Sequence, residues 1–216
     1  MKGNRIITIG RQIGSGGSEI GMEVAKRLGI RCYDKQLIEL ACNYGELDQD
    51  VLAAAEEKRP NPFLYSVPRQ MQNDKTGRGI AINDMVFNVQ SEVIRQLAEK
   101  ESCIIVGRCA DAILSEYENT IHIYIYAPEE ERFEVCKKDF GMSPVEAKRM
   151  MLEVDKARER YHMEYAGFLP DDPKYKDLMI DSSVLGVDKT VELIENYVKL
   201  FLSLEAPKKM KKCIQF

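Results

Sequence analysis

The sequence is poor in metal ligands and in anything a membrane would hold. Its two histidines and six cysteines (Cys32, Cys42, Cys103, Cys109, Cys136 and Cys213) include no C-x-x-C, so neighbouring residues cannot assemble a zinc-type cluster. The same spacings argue against a disulfide framework, and the thiols read as reduced and mostly structural. No apolar run reaches the roughly 18 residues needed to cross a bilayer. The one candidate for a leader's apolar stretch, residues 6–9, is interrupted by Gly10 and Arg11, so a cytoplasmic location is expected. A basic excess is missing too. The net charge of −4 argues against nucleic acid or an acidic membrane as a general partner. What remains is 216 residues, 44% hydrophobic and 31% charged, the composition of one globular domain.

What is there begins at the N-terminus. Ile6-Ile7-Thr8-Ile9 reads as a buried strand, Gly10 to Ser18 as a glycine-rich turn, and the residues after it as a helix start. Those are the parts of a phosphate-binding loop, in which glycines let backbone amides approach an anion and the helix dipole adds about half a positive charge. The Walker A pattern G-x-x-x-x-G-K-[ST], ending on Ser18, asks for glycine at 11 and lysine at 17. The chain has Arg11 and Gly17 instead. Either the loop binds phosphate by altered means, with Arg11 the nearest cation in sequence, or it is a bare glycine turn. Ser18 at the helix start either caps the helix or offers its hydroxyl to Mg2+.

Further along, short apolar strands alternate with helical stripes. Strands are expected at residues 5–9, 31–33, 102–106, 121–126 and 178–180. Helices are expected at 18–28, stopped by Gly29, at 35–44, and at 187–202. This order indicates an α/β fold with a parallel sheet covered on both faces, whose ligands bind at the carboxyl ends of the strands. That rule selects Gly10 to Ser18, Asp34, Gly107-Arg108, Ala127 and Asp181. Two segments break the alternation. One is a helical insertion over about 48–100 with a mobile, proline-rich and basic loop at 59–79. In the other, Ser143-Pro144-Val145-Glu146 forms a capping box that starts a helix running to about Tyr165, before Gly167. The basic tail around 208–212 reads as a solvated end.

Two arginine groups stand out. Arg108, directly after a strand, would point into the crevice, where its fork suits a pair of phosphate oxygens. Late in the second helix, Arg149, Lys156 and Arg160 share one face and Arg158 points elsewhere. Near a phosphate site, such arginines could close over a transferring phosphoryl group. Each group has a plain alternative in a surface salt bridge or a solvated helix face.

The ordered motifs resemble bacterial cytidylate kinases, and most of all their divergent cytidylate-kinase-like branch. They are Ile7-Thr8-Ile9-Gly10 with Gly14-Ser15-Gly16-Gly17, Tyr33-Asp34-Lys35, Ile105-Val106-Gly107-Arg108, Ala127-Pro128-Glu129-Glu130-Glu131-Arg132, Asp155-x-x-Arg158 and Ile180-Asp181-Ser182-Ser183. The resemblance spans roughly residues 5–200. It implies a three-layer α/β/α P-loop nucleoside monophosphate kinase: a five-stranded CORE (about 1–47, 101–138 and 173–204), a helical insertion that binds the monophosphate (about 48–100), a helical lid (about 139–172) and a tail (205–216). It implies ATP with Mg2+ and small-molecule nucleotide substrates. Gly14, Ser15, Gly16, Gly17 and Ser18 would hold the donor phosphates, with Ser18 on the metal. Asp34, Arg108 and Asp155 would serve the acceptor, and Arg11, Arg108, Arg158 and Arg160 would neutralise the phosphates.

Departures from the family pattern are specific. The loop lysine is absent, Asp-Gly-Arg-Asp has become Val106-Gly107-Arg108-Cys109, and the lid's Arg-Asp pair is Met151-Leu152. The expected activity is ATP-dependent phosphoryl transfer to a nucleoside monophosphate or a related small acceptor. A catalytically impaired nucleotide- or anion-binding protein is the alternative.

Overall fold

Continuous apolar strands set the architecture. In the computed structural model, which describes residues 4–34 and 78–203, five strands pair in the order β2-β3-β1-β4-β5, every neighbour parallel. They are β1 (Ile6–Arg11), β2 (Arg31–Tyr33), β3 (Cys103–Val106), β4 (Thr120–Tyr126) and β5 (Leu178–Asp181). In β3, successive residues pack on opposite faces: Ile104 and Val106 join one core cluster, Cys103 and Ile105 the other. A strand buried on both sides must be apolar without alternation, as its sequence is.

The helices cover both faces. On one side α1 (Gly17–Leu28) and α6 (Ser182–Ser203) bury Ile20, Val24, Val191, Ile194 and Val198. On the other, α2 (Arg78–Lys100) and the short α3 (Ala110–Ile113) contribute Ile94, Leu97 and Ala110. Near the loop after β1, α4 (Glu129–Phe140) and α5 (Pro144–Ala166) close a smaller core around Ile13, with Cys136, Ala147, Met151 and Val154. The α5 capping box at Ser143 is present in full, with proline at its start and left-handed Gly167 at its end. Gly186 (φ 68°, ψ 175°) breaks helical geometry inside α6, which leaves the expected 187–202 as its continuous part.

The chain builds β2 and β3 on one side of β1 and β4 and β5 on the other, so strand order reverses at the carboxyl end of β1. In sheets of this kind ligands bind outside that point. Of the expectations drawn from the sequence, the helix at 35–44, most of the 59–79 loop and of the insertion, and the tail lie outside the described residues. Arg78 and Gly79, expected in that loop, begin α2. Among the described residues no helix is long and apolar enough to cross a membrane, and no three His, Cys, Asp or Glu side chains gather as a metal site. Cys32, Cys103, Cys109 and Cys136 are free thiols. Burial pushes Cys136 up to about 11 and Cys103 up to about 12, which makes both unreactive.

The far end of α5 is pinned by a buried ionic group. His162 Nε2 lies 3.0 Å from Asp111 on α3, and its Nδ1 lies 2.8 Å from the Phe168 carbonyl. Lys176, with 1% of its side chain exposed, bonds the same carboxylate. Burial alone would raise the Asp111 carboxyl. The His162 hydrogen bond and the Lys176 charge outweigh it and hold the group well below the usual carboxylate range. Because the folded value is depressed, this stabilisation is complete above the unfolded value of about 3.9 and is lost as pH falls below it. Asp111→Ala should therefore cost about 3–5 kcal/mol at neutral pH by stranding Lys176. In melting curves, the gap between wild type and Asp111→Asn should narrow as pH drops from about 5 to about 3.

Candidate phosphate site

The residues around the crevice share one steric constraint. A Cβ on Gly17 would stand 2.6 Å from the Cβ of Arg11 and 3.4 Å from that of Ile125. Those atoms sit next to their backbones and cannot swing aside. Arg11 at the end of β1 therefore excludes any side chain at 17, and the two departures from the Walker pattern are one exchange. The cation of this chain stands at the strand end, where the pattern has one at the helix start. From there the Arg11 side chain crosses to the end of β3, where a Cβ on Gly107 would stand 3.3 Å from its Cζ and 3.6 Å from its Nη2. Arg11 thus lies between the glycine loop and the Gly107-Arg108 turn.

The loop follows from close approach as well. Gly14 takes φ 75°, and a Cβ there would stand 2.7 Å from the backbone oxygen of Arg132. Packing alone requires Gly14 and Gly17, whether or not the loop holds an anion. Ser15 turns its hydroxyl into the core, 2.9 Å from the Gln12 carbonyl and 3.2 Å from that of Ile125. Ser182, at the start of α6, lies 2.8 Å from the Ser15 carbonyl and ties the β5 end to the loop. The N-cap of α1 is left-handed Gly16 with no side-chain hydrogen bond, so Ser18 does not cap the helix. Its hydroxyl is half-buried in the first turn. A 12-residue helix whose first amides no side chain caps fits an anion.

Helix α5 is fastened over this loop. Asp155 Oδ1 accepts from the Ile13 amide at 2.9 Å, and Oδ2 accepts from Arg132 Nη1 at 2.5 Å. Arg132 also donates to the Ile13 carbonyl at 3.2 Å and to that of Ala127 at 3.0 Å. Arg158 donates to the Arg11 carbonyl at 3.0 Å and lies 3.5 Å from Asp155. Asp155, expected to serve the acceptor, is thus placed as a clamp between loop, α4 and α5.

On the acceptor side Gly107, Arg108 and Cys109 all take positive φ (79°, 57° and 52°). Left-handed arginine is uncommon and costs about 1–2 kcal/mol, the kind of strain that clusters at functional sites. Burial raises the phenol of Tyr161 on α5 well above its ordinary range, and the Arg108 charge partly opposes the rise. Asp34 stands half-buried just past β2, and Asp181 accepts from the Ser183 amide at 3.0 Å. Arg160 is not brought in: it is exposed, about 200° around α5 from Arg158. Arg158 meets the end of β1 at the Arg11 carbonyl, and the Arg11 side chain reaches Gly107, the neighbour of Arg108. The sequence reading passed over Arg132 and Tyr161 as site residues. Arg132 had a signal, since it closes the Ala127–Arg132 motif after a strand; Tyr161 had none.

Restoring the pattern at one position should fail. Gly17→Lys should destabilise the protein by about 1–3 kcal/mol through overpacking, whereas Arg11→Gly with Gly17→Lys should recover much of that loss. Thermal melts of the two single variants and the double variant, read as a mutant cycle, measure the coupling.

Comparison with known proteins identifies the family and the fold. The model of the cytidylate kinase-like family matches residues 6–184. A cytidylate kinase of Methanopyrus kandleri is 24% identical over 211 residues, covering 94% of this chain and 97% of that protein. The crystal structure of an uncharacterized protein from Eubacterium ventriosum superposes with a TM-score of 0.67 at 27% identity, covering 91% of this chain and 99% of the other. Shikimate kinase from Acinetobacter baumannii, solved with shikimate, shares the fold at a TM-score of 0.50 and 14% identity, over 94% of this chain and 97% of its own. The chain belongs to the cytidylate kinase-like family.

Proposed function

We propose that the protein is an ATP-dependent kinase that moves a phosphoryl group to a nucleoside monophosphate, cytidylate-like or a related small acceptor. Family and fold support a nucleotide kinase in general. The observation that carries the finer reading is the course of Arg11, from the glycine loop to Gly107-Arg108. Phosphoryl transfer asks a protein for position and positive charge more than for covalent chemistry. A guanidinium between a donor loop and an acceptor arginine stands where transferring charge develops.

In this reading the residues 14–18 and the start of α1 hold the donor phosphates, and Arg108 binds the acceptor phosphate. Arg158 and Arg132, fixed by Asp155, keep α5 over the crevice. Exposed Val184 and Leu185, on the segment whose Val187 side chain lies next to Gly16, give the donor base an apolar surface. ATP supplies the terminal phosphoryl group, which leaves ADP as its new bond to the acceptor oxygen forms. Mg2+ usually binds through phosphate oxygens and few protein groups, which agrees with a site where Ser18 is the protein's contribution.

A second reading is favoured by the missing aspartates around Gly107-Arg108: a nucleotide-binding protein that no longer transfers. Coupled assays over the nucleoside monophosphates with ATP and Mg2+ separate the two. Turnover is expected, with Arg11→Ala lowering kcat roughly 10²–10³-fold. Arg108→Ala should chiefly raise KM for the acceptor. A melting temperature raised by Mg-ATP with no product from any acceptor would establish the second reading instead.

A further inference from the structure

Ile13 stands at the entry to the glycine loop, outside any strand or helix, and its amide, carbonyl and side chain are each held by α4 or α5. The amide donates to Asp155 Oδ1 at 2.9 Å, and the carbonyl accepts from Arg132 Nη1 at 3.2 Å. The side chain, 4% exposed, packs with Cys136 of α4 and with Ala147, Met151 and Val154 of α5. Arg132 and Asp155 bond each other at 2.5 Å, so the two charges and the Ile13 peptide groups form one closed ring of contacts. At the next residue, Gly14, the site of the absent Cβ lies 3.1 Å from Arg132 Cα as well as 2.7 Å from the Arg132 oxygen. The turn into the loop is thus pressed against the backbone of the same arginine. Arg132 Nε donates to the Ala127 carbonyl at 3.0 Å, and the Ala127 amide donates to Gln12 Oε1 at 3.3 Å, so the arginine is itself fixed to the end of β4.

A glycine-rich loop has little stiffness of its own, since glycine loses more conformational freedom on ordering than any other residue. Amides that are to meet a phosphate must then be set from outside the loop. We infer that Asp155 and Arg132 are a positioning pair for the glycine loop: they fix Ile13 and Gly14, and through them the residues that hold the donor phosphates. This rests on the reading that residues 14–18 take those phosphates. It adds that α5 acts on the donor side through Asp155, both of whose oxygens already accept from protein donors. Charge-assisted hydrogen bonds suit this role, being shorter and roughly twice as strong as neutral ones. Asp155 and Arg132 are also partly buried, with 18% and 11% of their side chains exposed, so water weakens the pair little.

Asp155→Asn keeps the size of the side chain and an oxygen for the Ile13 amide but gives up the charge that holds Arg132. Arg132→Lys keeps the charge and gives up the fork that spans Ala127, Ile13 and Asp155. Calorimetric titration of both variants and of the double variant with Mg-ATP and, separately, with CMP tests the inference. Each single change should weaken Mg-ATP roughly tenfold, since a misplaced loop loses the orientation its contacts need, and leave CMP within about twofold. The double variant should be little weaker than either single one, because the two residues act as a unit. Unchanged Mg-ATP affinity overturns the inference, and a fall for CMP alone would place Asp155 on the acceptor side. An equal fall for both nucleotides overturns it too, as a general loss of stability. Should wild type fail to bind one of the nucleotides, the proposed function fails for it, and hydrogen exchange at the Ile13 amide decides the positioning role. Faster exchange there in Asp155→Asn, with the β1 amides unchanged, upholds that role; no change, or a change throughout β1, overturns it.

Discussion

Arg11 and Gly17 occupy one volume, and the crevice is arranged around that fact. Because the Cβ of Arg11 stands where a side chain at 17 would begin, helix α1 must open on glycine. The arginine that displaces it then needs room at the end of β3, and Gly107 supplies it. The Arg11 carbonyl in turn gives Arg158 its anchor. A strand-end residue, a helix start, a turn after another strand and the face of α5 are thereby linked through one side chain. In isolation each departure from the loop pattern looks like decay; in the structure the two are one steric exchange.

Helix α5 is held differently at its two ends. Near the loop the fastening is a carboxylate shared by an amide and two guanidiniums, partly open to solvent. At the other end it is a buried group on which Asp111, His162 and Lys176 depend jointly. Buried charges seldom add net stability over apolar packing, but removing one member is severe. Such a group enforces geometry more than it adds stability, and the geometry it enforces lies one residue from Tyr161 and three from Arg108.

Much of the scaffold was legible because it depends on local signals. Continuous isoleucine-rich runs gave β1, β3 and β4 within a residue or two of their ends. Ser143 to Glu146 marked the start of α5, and Gly29 and Gly167 marked two helix ends. The start of α1 was harder, since the residue that caps it is a glycine with no side-chain bond and Ser18 was the more obvious choice. The site was legible only as a set of strand ends. Arg132 joins Asp155 across 23 positions, Asp111 joins His162 across 51, and Tyr161 meets Gln90 across 71. Neither spacing nor period encodes such pairs. Arg160 and Arg158 are two apart in sequence, and helical phase sends only Arg158 to the crevice. The meaning of the missing lysine was likewise hidden, because the contact between positions 11 and 17 exists only once strand and helix pack.

The gathering of arginines has a consequence at longer range. The chain carries a net charge of −4 and, viewed from afar, repels a polyphosphate. At the strand ends Arg11 and the Arg132–Asp155–Arg158 group gather charge of both signs, with guanidiniums in the majority. The overall field of such a chain does not draw an anion in from bulk solution. Partly buried guanidiniums such as those of Arg132 and Arg158 act at close range, where added salt screens them little.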